Sequence, residues 1–150
     1  MPTHTEKRIV HHSAEQMYDL IADIGAYPKF LPWCTAARIN ETRPTDDGFG
    51  MIIEADLVIS FKLFREKFAS RVTLSPETNH IDVEYLDGPF RYLNNHWQFN
   101  ALDDDSCEVD FFVDFEFKSP MLQAVIGLVF NEAMQRIVRA FEARADELYG

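Results

Sequence analysis

The sequence predicts an α+β fold in which a curved antiparallel sheet of about seven strands wraps one long C-terminal helix. One or two short helices follow the first strand. Three observations carry this. A period of two runs from Cys34 to Phe117, broken by turn signals; a helical period runs from Ser119 to about Leu148; and one short amphipathic segment, 14–24, lies near the start.

Each element has a local cause. From Thr3 to His12 the chain reads as a first strand, ending in Arg8-Ile9-Val10-His11. Ser13 with Gln16 three residues on forms a capping box. Met17, Leu20, Ile21 and Ile24 then recur at three- and four-residue spacing, a helix over Ala14–Ile24 that Gly25 stops. Strands are expected near 35–43, 49–60, 64–75, 80–86, 90–100 and 106–117. Thr45-Asp46-Asp47-Gly48, Ser75-Pro76-Glu77, Asp87-Gly88-Pro89 and Asp103-Asp104-Asp105-Ser106 supply turns between them.

The last strand alternates most clearly. Val109, Phe111, Val113, Phe115 and Phe117 point one way, and Glu108, Asp110, Asp114 and Glu116 the other, so one face is apolar and one wet. Phe112 breaks the polar face without a reason visible in the sequence. Ser119 and Pro120 suit the N-cap and first position of a helix of roughly 42 Å. Its expected stripe is Leu122, Val125, Ile126, Val129, Ala133, Ile137, Phe141, Ala145 and Leu148. The near half, 121–130, is apolar almost all round and needs cover on both sides.

With 150 residues the chain reads as one domain, 1–150, large enough to bury a core without disulfides or metal. A net charge of −11 disfavours general affinity for nucleic acid or anionic lipid, and excludes DNA as a partner. Cys34 and Cys107 fit no metal spacing and read as reduced cytoplasmic thiols. Met1-Pro2-Thr3-His4-Thr5-Glu6 is no signal peptide, and no apolar run is long enough to span a bilayer. Membrane contact is therefore peripheral, at the inner face of a membrane.

Chemistry finds little foothold. No nucleophile-elbow or zinc-helix motif is present, and the chain reads as a non-enzyme with no metal or covalent cofactor. His11 and His12 are adjacent on a strand and point to opposite faces. His96, beside Trp97, is a candidate for the border of a cavity. Glu54 and Asp56 share a solvated face. Arg65, Lys67 and Arg71 share a strand face as a possible basic patch, with Arg91 nearby.

The most distinctive stretch is Tyr27-Pro28-Lys29-Phe30-Leu31-Pro32-Trp33-Cys34. Its prolines rule out a continuing helix or a central strand, yet its side chains are large and apolar. Such a loop either plugs the end of a core or lines the mouth of an apolar cavity. The 13 phenylalanines suit a wide apolar interior as well as ordinary core packing.

That loop, together with Gly88-Pro89-Phe90-Arg91-Tyr92-Leu93 followed by Trp97 and Phe99, and Phe130-Asn131-Glu132-Ala133 leading to Ala140-Phe141-Glu142-Ala143-Arg144-Ala145, carries a family likeness over essentially the whole chain. The chain resembles the START-like, or helix-grip, superfamily of polyketide cyclases, lipid-transfer domains and plant pathogenesis-related proteins. Within it, the chain is similar to the coenzyme Q-binding and ribosome-association toxin family. The resemblance implies either binding of ubiquinone in support of respiration or blocking of ribosomal-subunit association.

For a quinone, the wall is expected from Phe30, Leu31 and Trp33 of the loop, Phe90 and Trp97, Phe115 and Phe117 of the last strand, and Val129 and Phe130 of the helix. Gly127 is expected either to allow a bend or close packing at the cavity entrance, or to make a tight contact with the sheet. For a ribosomal subunit, Arg65, Lys67 and Arg71 are the expected contacts.

Overall fold

The computed structural model describes residues 3–61 and 64–150; Met1 and Pro2 lie outside the described residues. The order is β1 (Thr3–Val10), α1 (Ala14–Ala22), a 3-10 helix (Ile24–Lys29), β2 (Cys34–Pro44), β3 (Met51–Phe61), β4 (Phe64–Ser75), β5 (His80–Asp87), β6 (Phe90–Asp103), β7 (Ser106–Phe117) and α2 (Pro120–Tyr149). The strands form one antiparallel sheet ordered β1-β7-β6-β5-β4-β3-β2. Six strands thus follow the chain as a meander, and β1 joins it beside the last of them.

The local signals act as expected at both helix starts. Ser13 accepts from the Gln16 amide while the Gln16 side chain accepts from the Ser13 amide. Ser119 accepts from the Leu122 amide, with Pro120 opening α2. Two ends differ. β1 stops at Val10, because the chain bends at His11 and His12 before the cap. α1 ends at Ala22 rather than at Ile24, because Asp23 leaves helical geometry (φ −85°, ψ 70°) and the backbone tightens into the 3-10 helix.

The strand alternation packs the concave face. In β7 Cys107, Val109, Phe111, Val113 and Phe115 are buried, meeting Phe68, Val72 and Leu74 of β4, Trp97 and Phe99 of β6, and Ile126, Phe130, Met134 and Phe141 of α2. α2 buries Leu122, Ile126, Phe130, Ala133, Met134, Val138, Phe141 and Ala145. The expected stripe was therefore turned too far round the helix: Val129 and Leu148 are exposed, and Phe130, Met134 and Val138 face inward in their place.

The apolar near half of α2 is covered on one side only, leaving Met121 69% and Leu128 88% exposed. Gly127 sits on that open side, where an added Cβ meets nothing within 4 Å. It makes neither a close packing contact nor a tight seat on the sheet.

One edge of α2 is held to the first strand by polar groups. His4 lies between Asn131 (Nδ1 to Oδ1, 3.4 Å) and Glu6 (Nε2 to Oε1, 2.9 Å). Arg8 bridges Glu6 and Glu142, each at 3.0 Å, and His12 Nε2 meets Asp146 at 2.7 Å. The opposite edge of the helix faces the hollow of the sheet. Among the described residues, no helix is long and apolar enough to cross a membrane.

Candidate functional site

A cavity of ≈ 240 Å³ lies between the concave sheet face and α2, and its wall is almost wholly apolar. The strands build most of it by parity: Leu57 and Ile59 of β3, Phe68 and Val72 of β4, Val83 of β5, Leu93 and Trp97 of β6, and Phe111, Val113, Phe115 and Phe117 of β7. α2 closes it with Leu122, Ile126, Ala133, Met134, Ile137 and Phe141.

The Pro-aromatic loop both plugs the core and lines the cavity. The Tyr27 hydroxyl donates to the Ile21 carbonyl, and its ring meets Phe30 and Phe141 edge-on at 6.2 and 5.3 Å. Burial pushes the Tyr27 phenol far above its ordinary range, with the neighbouring Cys34 and Asp23 adding to the effect. Leu31, Pro32 and Trp33 line the cavity. Trp33 adopts φ 66°, a left-handed conformation that costs a non-glycine residue about 1–2 kcal/mol. Its carbonyl accepts from the Ser60 amide at 2.8 Å, which ties the loop to the end of β3.

Of the residues expected to form the wall, Leu31, Trp33, Phe90, Trp97, Phe115 and Phe117 border the cavity. Phe90 organises them: its ring stacks on Phe117 at 4.7 Å and meets Phe115, Phe68 and Tyr85 edge-on. Phe30, Phe130 and Val129 do not border it. Phe30 packs on Phe141 and under Arg144, Phe130 packs behind the wall against Phe115 and His4, and Val129 faces outward.

Three polar wall residues, Ser70, Asn95 and Glu66, escaped the sequence reading. Ser70, 2% exposed, sits between Phe68 and Val72, and Asn95 sits between Leu93 and Trp97. Ser70 and Asn95 fall in phase with apolar neighbours, and that polar residue on an apolar parity was the available signal. Asn95 Nδ2 donates to the Phe112 carbonyl at 2.8 Å, which orients the amide and leaves its oxygen as an acceptor. Ser70 and Asn95 lie two strands apart and one pleat offset, about 12 Å by strand geometry. Glu66 joins the lining from an exposed position. Cys34 also lines the cavity, and burial pushes its thiol up to about 11.

His96 lies on the other side of the sheet. Trp97 and Phe99 take the inner parity of β6, so His96 faces outward and stacks on Phe112 (4.8 Å, 16°). His12 is buried and His11 exposed, and His12 pairs with Asp146. Among the described residues no group of three His, Cys, Asp or Glu is placed to hold a metal ion.

The basic residues do share the outer face of β4, but acids accompany them. Arg71 lies 3.3 Å from Glu84 and 3.7 Å from Glu54, Lys67 lies 3.9 Å from Asp56, and Arg91 lies 3.4 Å from Glu116. Arg65 is exposed. Glu54 is held below the usual carboxylate range, first by its hydrogen bond from Arg43. The patch is charge-balanced rather than basic.

Comparison with known proteins agrees with this architecture. Residues 10–142 match the family model described as polyketide cyclase / dehydrase and lipid transport. The ribosome association toxin RatA of Escherichia coli K12 is 36% identical over 149 residues, covering 99% of this chain and 90% of that protein. The mitochondrial coenzyme Q-binding protein COQ10 homolog B of Xenopus laevis is 30% identical over 151 residues, covering 98% of this chain and 59% of that protein. The solution structure of the 18 kDa protein CC1736 from Caulobacter crescentus superposes with a TM-score of 0.81 at 36% identity, over 100% of this chain and 99% of that one. With its seven-stranded grip on a long helix and these matches, the chain belongs to the polyketide cyclase / dehydrase and lipid transport family, and within it the chain is similar over nearly its whole length to the ribosome association toxins.

Proposed function

We propose that this protein binds a hydrophobic isoprenoid ligand, ubiquinone first among them, and presents it for respiration without transforming it. The apolar cavity under α2 is the observation that carries this reading. Each buried CH₂ of a polyprenyl tail gains about 0.8 kcal/mol, while Ser70 and Asn95 supply the few polar groups that a quinone head requires. The space of ≈ 240 Å³ is smaller than the ~300–1,000 Å³ of drug-sized sites, so the closed form takes only part of a long tail. The rest leaves through the mouth or requires α2 to shift. The exposed side chains of Met121, Leu128 and Val129 suit a transient seat on a membrane surface during loading.

The test is mass spectrometry of organic extracts from gently purified protein. A stoichiometric quinone, lost in a Phe117→Lys variant that still folds, is the expected result. Protein that carries no lipid from a quinone-replete host sinks the reading.

A second reading has its own support. Likeness to the RatA protein runs over nearly the full length of both chains, which favours association with a ribosomal subunit and interference with subunit joining. Lipid-free protein that co-sediments with ribosomal subunits is the result this reading requires.

A further inference from the structure

The outer face of β7 runs Glu108, Asp110, Phe112, Asp114, Glu116, an aromatic ring with carboxylates on both sides along the strand. Phe112 serves no part of the cavity, since it faces away from it. Its cross-strand partner in β6 is His96, and the two rings stack at 4.8 Å and 16°. His80 of β5 continues the platform, stacked on His96 at 6.0 Å and 29°. Asp82 borders it, 2.9 Å from His80 Nε2, so three strands present a stack of rings, faces toward one another, edged with acids.

The charges around this platform favour a cation. Arg71 and Arg91 are matched by Glu84 and Glu116, while Lys7 of β1 stands opposite Asp110 in the register. The net charge of −11 steers basic partners toward the protein and opposes a phosphate backbone. A planar guanidinium fits both parts of the platform: its face continues the stack on the side of Phe112 away from His96, above the exposed Thr5 of β1, and its N–H edge reaches Asp110 and Asp114. A lysine ammonium offers a point charge and no second plane.

We propose that this outer face docks an arginine-bearing segment of a basic protein, a site separate from the cavity and beyond the ligand-binding reading. A titration of isotope-labelled protein with an Arg-Gly repeat peptide, its Lys-Gly counterpart and oligouridylate tests it. Amide shifts centred on Asp110, Phe112, Asp114 and His96 are expected, with the Arg peptide at least threefold tighter than the Lys peptide. Phe112→Thr should weaken the Arg peptide at least fivefold and remove its preference over Lys. Should Phe112→Thr fail to fold, Asp110→Asn should still weaken it at least twofold. Asp104→Asn, at the exposed β6–β7 hairpin tip, should leave affinity unchanged. Shifts spread over every acidic segment, equal affinity for the two peptides, an equal loss in Asp104→Asn, or oligouridylate binding at the same amides would each overturn the proposal.

Discussion

The guanidinium of Arg136 lies over the indole of Trp33, 5.3 Å from Cζ to the ring centroid. The contact joins the middle of α2 to the Pro-aromatic loop at a residue whose backbone is held at φ 66°. Side chain and backbone therefore act in opposite directions at one position. The ring closes the cavity and gains from the cation, while the left-handed backbone opposes any residue but glycine.

This opposition is measurable. Trp33→Ala loses the ring and keeps the strain, whereas Trp33→Gly loses the ring and relieves it. In urea unfolding the glycine variant should be the more stable of the two by about 1 kcal/mol. Equal midpoints would show that the loop relaxes its backbone once the indole is gone.

Two glycines, Gly127 on α2 and Gly88 in the β5–β6 turn, should respond oppositely to alanine. Gly127→Ala adds a methyl into open space on an exposed helix face and should stabilise by about 1 kcal/mol, a rise of roughly 2–4 °C in Tm. Gly88→Ala places its Cβ 2.6 Å from the Phe68 Cβ at φ 146°, beneath the ring cluster around Phe90. That variant should lose about 2–3 kcal/mol. A neutral Gly88→Ala would mean that β4 yields at Phe68.

Asn95 should contribute selectivity rather than bulk affinity. Asn95→Leu removes a hydrogen-bonding group worth about 0.5–1.5 kcal/mol, so binding of a short-tailed ubiquinone analogue should weaken about three- to tenfold. Binding of a fatty alcohol, measured by displacement of a fluorescent lipid, should change less than twofold. An equal loss for both ligands would indicate that the substitution reshapes the wall.

Alkaline pH should destabilise the fold through its two thiols. Burial raises Cys34 and Cys107 from the ordinary 9.0 to about 11. Above pH 9 the unfolded chain releases these protons while the folded chain retains them. Their contribution is therefore complete below about pH 9 and lost as pH rises through 11. A pH series of melting temperatures should fall across that window, and less steeply in a Cys34→Ala, Cys107→Ala variant. For the same reason both native thiols should react slowly with iodoacetamide at pH 8, where a thiol of this kind is about 0.1% ionised.

Most of the strand boundaries could be read because turn chemistry and parity agree on them: Asp87-Gly88-Pro89 and Asp103–Ser106 end strands where the alternation also ends. The rotation of α2 could not be read in its first half. Apolar residues surround the helix there, so periodicity carries no phase, and one residue of error exchanged Val129 for Phe130. Parity alone would have placed His96 outside, given the buried Trp97 and Phe99, and would have marked Ser70 and Asn95 as polar residues on an inner face. The acids that neutralise Lys67 and Arg71 come from neighbouring strands, and cross-strand register is not written in any single segment.

The position of β1 has a consequence for how the molecule is made. β2 to β7 pair in chain order, each with the strand before it as soon as it appears. Thr3, by contrast, waits for Asp114. Non-local closure of this kind slows folding, and the apolar concave surface stays uncovered until α2 arrives. Synthesis at about 5–20 residues per second leaves the first strand unpaired for several seconds. The nascent chain therefore passes through a stage with an open sheet edge and a bare greasy face.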